Sequence, residues 1–219
     1  MTHSLYYKFI LGYLVFGLLG FASIATLSSR MTERYLIREQ ADSLYDEANQ
    51  IASTYSGMYH GKDMDLISSY PQLVGSAHYL HAQIWIIDRQ GKIVVDSDQS
   101  ERTGRVIDRF DPTAAGNKSY TIGTFYDQFT YDVLSVHAPI TGNYTTYGYV
   151  VIHMPLSVLQ NTRDGILNIV YITLAVVFGL SLIILLVFTK TVYFPLKKIT
   201  AGANEYAQGN LTYHIDVNN

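Results

Sequence analysis

The sequence predicts an α+β domain with a five-stranded antiparallel sheet and a long N-terminal helix, placed between two membrane-spanning helices. Three observations in the 219 residues predict it. Two long uncharged apolar runs divide the chain, a helical repeat of apolar residues follows the first run, and β-rich segments precede the second. The order of long helix, short helices, hairpin, loop and three-stranded meander gives this fold class.

The two apolar runs cover residues 9–27 and 166–188, and neither contains a charged residue. At a rise of about 1.5 Å per residue, the second run is long enough to cross a hydrocarbon core of about 30 Å. The first run is longer than the ~7–15 apolar residues of a signal peptide, and no clean cleavage site follows it. Both runs are therefore predicted to be membrane spans, the first of them an uncleaved anchor.

A long helix is predicted over residues 34–59, because apolar residues recur there at alternating spacings of four and three. These residues, the apolar seam of the helix, are Ile37, Ala41, Leu44, Ala48, Ile51, Tyr55 and Met58. The seam suits a helix that lies on a sheet, and equally a helix that pairs with its twin in a dimer. One helix with different flanks can do both, so both interpretations stay open.

Short helices and a hairpin are predicted over residues 61–96. A turn or two of helix is predicted from Asp65, with a break at Pro71 and another short helix up to His81. A hairpin follows, with β-branched apolar strands at residues 83–88 and 92–96.

The second half of the domain begins with a polar stretch, residues 97–117, which is predicted to be mainly loop. Three further strands are predicted at residues 120–126, 129–140 and 147–155, separated by short turn sequences. Together with the hairpin they complete the five strands of the sheet.

Few residues of this sequence are candidates for a catalytic or metal-binding site. The chain has no cysteine, which excludes disulfides and thiol catalysis, and its net charge of −3 gives no reason to expect a nucleic acid partner. His78 and His81 are spaced to share a helical face, but no third metal ligand can be placed near them, so a surface or core role is favoured. Asp88 and Asp96 flank the hairpin turn and are interpreted as turn-stabilising. No catalytic residue and no metal site are predicted.

The hairpin sequence Ile-Trp-Ile-Ile-Asp-Arg-Gln-Gly-Lys-Ile-Val-Val-Asp-Ser, residues 84–97, resembles the central hairpin of extracytoplasmic PAS-like (Cache) sensor domains. The preceding long helix and the three late strands fit the same order, over roughly residues 30 to 160. The resemblance implies a sensor domain outside the cytoplasm. Charge does not give the orientation, because four basic residues flank each side of the spans.

The sequence Pro195-Leu196-Lys197-Lys198-Ile199, followed by Gly209-Asn210-Leu211, resembles the first helix and connector start of a HAMP domain. Pro195 blocks continuation of an ordinary helix and favours a fresh helical start. The sequence ends before the acidic motif and second helix of that family. The relay residues implied by the resemblance, with the three-four-three spacing of a coiled-coil seam, are Pro195, Leu196, Ile199, Ala203 and Tyr206.

The late strands suggest a ligand site. Alternation places Phe129, Tyr131, Val133, Ser135 and His137 on one face of a strand, where aromatic rings with polar tips suit a small pocket. The alternative, that these aromatics only form the core under the long helix, is given the larger weight. In Cache-like domains the loop after the hairpin often covers a ligand. The candidate ligand-binding residues are Arg102, Arg105, Tyr126, Tyr131 and His137.

These resemblances imply the N-terminal input half of a bacterial sensor histidine kinase, a two-pass protein of the inner or plasma membrane. The expected segments are residues 1–8 (cytoplasmic), 9–27 (first span), 28–165 (sensor domain), 166–188 (second span) and 190–219 (partial HAMP domain). The expected partners are a second copy of the chain, an unknown small ligand outside the cell and, through an output domain, a response regulator.

The enzymatic activity is left uncertain, because ATP and Mg²⁺ are expected only for a kinase domain beyond this sequence. A chemoreceptor or a cyclic-dinucleotide synthase would share the same input half. A membrane-anchored adhesion or scaffold module is the alternative from another class.

Overall fold

The computed structural model of the chain describes residues 3–59, 66–98, 101–112 and 120–210. The chain divides into two compact units. One unit, here the span unit, consists of Met1–Leu27 and Leu167–Asn219, and the other, here the sheet unit, of Ser28–Ile166. Asp65, where a helical turn was expected to begin, lies outside the described residues, and the helix is described from Leu66. Leu211 of the HAMP-like sequence lies outside the described residues.

The described elements form an α+β fold, which confirms the predicted fold class. In chain order they are α1 (His3–Tyr59), α2 (Leu66–Leu80), β1 (Gln83–Asp88), β2 (Ile93–Asp96), β3 (Tyr120–Gly123), β4 (Val133–Gly142), β5 (Thr145–Pro155), α3 (Leu156–Phe188), a π-helical turn (Thr189–Tyr193) and α4 (Phe194–Ala207). The five strands form one sheet in the order β2-β1-β5-β4-β3, and every neighbouring pair is antiparallel.

One face of the sheet packs against α1. Five residues of the apolar seam are buried in the same cluster as sheet residues such as Val136 and Ile152; they are Ala41, Leu44, Ala48, Ile51 and Tyr55. The first of the two interpretations of the seam is therefore correct for these five residues. A side chain that is buried against its own sheet cannot also face a second copy of the chain. The side chain of Met58 lies outside the described part of the structure.

The opposite face of the sheet carries a second, separate core of Trp85, Ile87, Ile93, Ile107, Phe129, Val133 and Val151. Phe110, Phe125 and Tyr126, from the chain that follows β2, pack against it. The favoured alternative placed these aromatics under α1, but Phe129 belongs to the second core and Tyr149 packs against it, while Tyr120 and Tyr147 pack against the cluster that contains α1. The second core lies beneath loops.

Several predicted boundaries are wrong for local reasons. Helix α1 begins far before residue 34, because no glycine or proline interrupts the sequence between Gly20 and Gly57. Helix α2 continues through Pro71, which costs one backbone hydrogen bond. Burial of Leu73 and Ala77, one turn apart on its inner face, offsets that cost.

The late strands are displaced by a tight turn. Strand β3 ends at Gly123 and β4 starts at Val133, four residues later than predicted. Phe125, Tyr126 and Asp127 have φ angles of 43°, 53° and 58°, a left-handed conformation that no strand accommodates.

Of the two aspartates that were predicted to stabilise the hairpin turn between β1 and β2, Asp88 lies at that turn and Asp96 lies at the opposite end of β2. Asp88 accepts hydrogen bonds at Oδ1 from the backbone N–H groups of Gln90 and Lys92, at 2.9 and 2.8 Å. Asp96 accepts one from the backbone N–H of Asp98 at 3.0 Å and one from Gln83 Nε2 at 2.8 Å. Both carboxylates accept a backbone hydrogen bond from two residues further along the chain, and Asp96 also binds the side chain of Gln83 on β1, so both have a structural role.

The span unit contains the most apolar parts of α1 and α3, and both helices are long and apolar enough to cross a membrane. The hydroxyls of Tyr13 and Ser181 are hydrogen-bonded to each other. Gly17 lies against the ring of Phe178, so closely that a Cβ at this position would sit 2.5 Å from a ring carbon. The two apolar helices therefore pack together through a hydrogen bond and a close glycine contact, as helices in a lipid environment do.

Candidate functional site

The second core contains a buried histidine. His153 lies on β5 with no exposed surface, and its Nδ1 is 2.8 Å from Ser135 Oγ on the neighbouring strand β4. The two residues meet because the register of the strands places them directly opposite each other. Burial lowers the pKa of His153 to about 3, with a smaller contribution from the positive charge of Arg102, so the ring is neutral at physiological pH. Its other nitrogen, Nε2, has no hydrogen-bond partner among the described residues.

Three aromatic rings surround this histidine. The ring of His153 is 4.3 Å from Trp85, 4.3 Å from Phe125 and 5.0 Å from Phe129, measured between centroids. Trp85 and Phe129 are stacked at 5.3 Å with an angle of 11° between their planes. Trp85 Nε1 is also buried and lacks a partner within the described part of the chain. Two adjacent buried nitrogens are thus unsatisfied, an uncommon arrangement that calls for a physical reason.

Arg102, one of the candidate residues, lies over this aromatic cluster. Its guanidinium carbon is 5.1 Å from the centroid of the Phe129 ring and 5.9 Å from that of Trp85. Both distances are within the range of cation–π attraction. The loop after β2 therefore brings a positive charge to the face of the sheet that carries the second core.

A cavity of about 370 Å³ opens beside His153 and Phe129. It is lined by Val74, Ala77, His78, His81, Ala82, Gln83, Ser97, Asp98, Phe129, Tyr131, Val133, His153 and Pro155. Tyr131, a candidate residue with 51% of its surface exposed, lies 5.6 Å from the Phe129 ring. Across the residues that the structure describes, no three metal-ligating side chains come together. The mixture of rings and polar groups suits a small polar molecule.

The other three candidate residues have different surroundings. Tyr126 holds the loop over the second core, since its hydroxyl is 3.1 Å from both the backbone N–H and the carbonyl oxygen of Asp111. His137 is half-buried 6.3 Å from Tyr149, and burial lowers its pKa while a hydrogen bond to the backbone of Pro112 opposes this. Arg105 is mostly exposed and is 4.0 Å from Glu101.

Among the five candidates, therefore, the structure brings only Arg102 and Tyr131 together around Phe129. Sequence reasoning did not single out Trp85 or His153 as site residues. The available signal was a histidine in an otherwise apolar strand, two residues after Val151 and so on the same face as it.

The relay residues lie on α4, whose first turn contains Pro195. Leu196, Ile199 and Tyr206 are 59%, 48% and 41% exposed, and Ala203 is exposed as well. The helix ends at Ala207, and the left-handed Gly209, with a φ angle of 89°, follows it. Pro195 lies in the first turn of α4, but the backbone does not leave the helical conformation between α3 and α4, and the two helices are joined by a π-helical turn.

No family model matches this chain, and no curated protein matches it. Similar solved structures include the sensor domain of the V. cholerae histidine kinase DctB, at 20% identity and a TM-score of 0.37, with 71% of this chain and 59% of that chain covered. The sensory domain of the Campylobacter jejuni chemoreceptor Tlp3 is 13% identical, with a TM-score of 0.40 and coverages of 64% and 66%.

A third similar structure is the extracellular domain of the putative histidine kinase vpHK1S-Z8, at 14% identity and a TM-score of 0.34, with coverages of 64% and 62%. This chain thus spans about three fifths to two thirds of the length of the solved chains. Similarities at these identities and TM-scores do not show which residues of this chain act.

Proposed function

We propose that this chain is the signal-input and transmembrane-relay portion of a two-component sensor histidine kinase. One observation carries the proposal: in sequence, the α+β domain lies between two helices that are able to span a membrane, and both connections are helical. Helix α1 runs from the first apolar stretch into the domain without interruption, and α3 starts directly after β5. A change in the sheet therefore has a stiff covalent route to each apolar stretch.

The proposed topology is two-pass in a bacterial plasma membrane, with residues 28–165 outside the cytoplasm and both ends inside. It is supported by the order of a domain, a span and a HAMP-like helix along the chain. In such an arrangement the direct covalent path from the late strands to the HAMP-like helix is through β5, α3 and α4.

The proposed stimulus is a small molecule that binds in the cavity beside His153, with Arg102 and Tyr131 as contact residues. His153 is one of the residues that line this cavity, and its buried Nε2 has no hydrogen-bond partner among the described residues. A buried polar group without a hydrogen bond costs about 1–3 kcal/mol, which a ligand that supplies the bond recovers. The positive charge of Arg102 and the ring of Phe129 would orient such a ligand from above.

The proposed partner is a second copy of the chain, paired through α4. The apolar seam of α1 is occupied by its own sheet, whereas Leu196, Ile199, Ala203 and Tyr206 form an exposed apolar stripe with coiled-coil spacing. In a kinase dimer, this stripe would carry the signal to an output domain that binds ATP and Mg²⁺ and phosphorylates a response regulator.

A fusion protein tests the proposal. The chain through Asn219 is joined in frame to the second HAMP helix and kinase domains of a well-characterised histidine kinase. Pools of small water-soluble metabolites are then added outside the cells, and autophosphorylation is measured. We expect at least one pool to change the activity, and Tyr131→Ala to abolish the change while the protein remains in the membrane.

The alternative of a non-signalling anchor or scaffold predicts a different result. In that case a ligand that stabilises the folded chain would leave kinase activity unchanged. A chemoreceptor or a cyclic-dinucleotide synthase has the same input half, and the output domain of the complete protein distinguishes them.

A further inference from the structure

Helix α3 continues into α4 through the π-helical turn Thr189–Tyr193. Phe188 before the turn and Phe194 after it both have right-handed helical dihedral angles. Phe194 donates its backbone N–H to the carbonyl oxygen of Thr189, five residues back, instead of four as in an α-helix. The turn therefore accommodates one residue more than an α-helical turn would.

The sequence explains why the turn forms at this place. In an uninterrupted α-helix, Pro195 would lack a hydrogen bond and its ring would meet the carbonyl group of Thr191. The π-helical turn instead places Pro195 in the first turn of a new helix, where proline is favoured. Thr189, Thr191 and Val192 are β-branched and are weak helix formers.

The carbonyl groups before the turn are also perturbed. Thr189 Oγ1 donates a hydrogen bond to the carbonyl oxygen of Leu185 at 2.8 Å, the type of contact that slightly destabilises and bends a helix. The difference in free energy between the α-helical and the π-helical form of this segment is therefore smaller than in an ordinary helix.

The helix before the turn packs against the other apolar helix of the span unit, whereas the apolar side chains of α4 are exposed. Thr189 is buried and lines an apolar cleft of about 230 Å³ in the span unit, together with residues of both apolar helices such as Leu14 and Leu182. Further along the same pair of helices, Tyr13 contacts Ser181 and Gly17 contacts Phe178. The apolar residues of α4, in contrast, are exposed.

We propose that Thr189–Tyr193 is a register switch that interconverts between the π-helical and the α-helical form. When the turn becomes α-helical, its additional residue rotates α4 about its own axis by about 100°. The contacts between the two apolar helices stay unchanged. Only the physiological use of the switch rests on the proposed relay function; the change of register is a property of the span unit.

The test measures distances in the whole chain, reconstituted in phospholipid nanodiscs. One spin label is placed at Lys8, and a second at Ala203 or at Asn204, which are exposed and about 100° apart around α4. Pulsed electron resonance gives the two distances. Because a helix is about 10–12 Å wide, a rotation of this size moves a surface position by up to roughly 8 Å.

Two deletions form a matched pair. Deleting Thr191 together with the substitution Pro195→Ala removes the additional residue and also the proline that would otherwise lie inside an α-helix, so α4 keeps its orientation and we expect both distances to change by only about the 1.5 Å rise of one residue. Deleting Thr200, in the regular helix, rotates everything after it and should shift both distances by several times that amount. Equal shifts in the two deletion variants would show that the turn holds no additional residue in a membrane.

Pro195→Ala tests the switch itself, because it removes the obstacle to the α-helical form. We expect a second, rotated population in the distances of this variant, and Lys197→Ala to give the wild-type distribution. A Pro195→Ala distribution identical to the wild type would overturn the proposal. Neither result depends on kinase output, so a failure of the proposed function, seen as an unresponsive fusion protein, remains distinguishable.

Discussion

Ser135 Oγ and His153 Nδ1 lie 2.8 Å apart across β4 and β5, and solvent reaches almost none of either residue. The pair satisfies one nitrogen of the imidazole, while the other has no partner among the described residues, and His153 is one of the residues that line a cavity. Around it lie the rings of Trp85 and Phe129, and above these the guanidinium group of Arg102. This part of the sheet therefore differs from an ordinary apolar core, because it contains a titratable imidazole with one unsatisfied nitrogen. Both the titration of His153 and the binding of a ligand near it can be measured.

The stability of the fold is predicted to decrease as the pH falls from about 6.5 towards 3. The pKa of His153 is about 3 in the folded chain and about 6.5 when unfolded, so between these values only the unfolded state binds the proton. At pH 5 this amounts to about 2 kcal/mol, since each pKa unit is worth about 1.4 kcal/mol. Urea unfolding of the whole chain in detergent can be followed by the fluorescence of Trp85, the only tryptophan.

The control for this prediction is His153→Phe, which keeps a ring in the cluster and removes the titrating group. Carboxylates elsewhere titrate equally in both proteins, so the difference between the two pH profiles isolates His153. Parallel profiles for the wild type and the variant would contradict the prediction.

The sequence predicted which residues of the late sheet share a face, but not what covers that face. Alternation correctly groups Val133, Ser135 and His137, because side chains of a strand point to opposite sides in turn. Whether that group meets α1 or a loop depends on the chain that returns over the sheet, and this chain is held by left-handed residues such as Phe125. Nothing in the local pattern around His153 distinguishes a buried polar partner from an ordinary core position.

A ligand that binds the cavity is predicted to raise the melting temperature of the whole chain in detergent, by mass action. Arg102→Ala should reduce this shift, because the side chain lies over Phe129. Arg105→Ala is the matched control, since it removes the same charge from a mostly exposed position three residues away. Ligands come from the metabolite pools that change the activity of the fusion protein. If both variants keep the full shift in melting temperature, Arg102 does not contact the ligand and only packs over the aromatic core.

The topology predicts different labelling of two exposed positions in intact cells. Tyr144, at the tip of the hairpin between β4 and β5, should react as a cysteine variant with a membrane-impermeant thiol reagent, and Asn210 should not. The chain has no native cysteine, so no background labelling arises. Labelling at position 210 in intact cells, with none at position 144, would reverse the proposed orientation.

Dimer contacts are predicted on α4 and not on the apolar seam of α1. Single cysteines at Leu196 and Ile199 should form oxidative crosslinks between copies in membranes, because both side chains are exposed and apolar. Cysteines at Leu44 and Ile51 should not, because these side chains are buried against the sheet. Lys198, on α4 outside the apolar stripe, is the matched control. Crosslinking at Lys198 as strong as at Leu196 and Ile199 would argue against a defined seam.

The seam of α1 shows where sequence periodicity stops being informative. A spacing of four and three residues requires only that one side of the helix be covered. Residues Ala41 to Tyr55 are covered by the sheet of the same chain, and a twin helix would have produced the same spacing. The choice between the two depends on the strands that follow much later in the sequence.

The final prediction concerns Pro195 in the fusion protein. A ligand supplies a coupling free energy of about 1–3 kcal/mol, its difference in affinity between two states. This is too little to break a membrane helix, but it is similar to the cost of about 3 kcal/mol for a proline inside an α-helix. Pro195→Ala therefore changes the balance at the π-helical turn by about as much as a ligand does. We expect the variant to fold and to bind ligand normally, while kinase output is shifted and responds less to the ligand, with Lys197→Ala unaffected. Wild-type output that still responds fully to the ligand would mean that Pro195 only starts a helix.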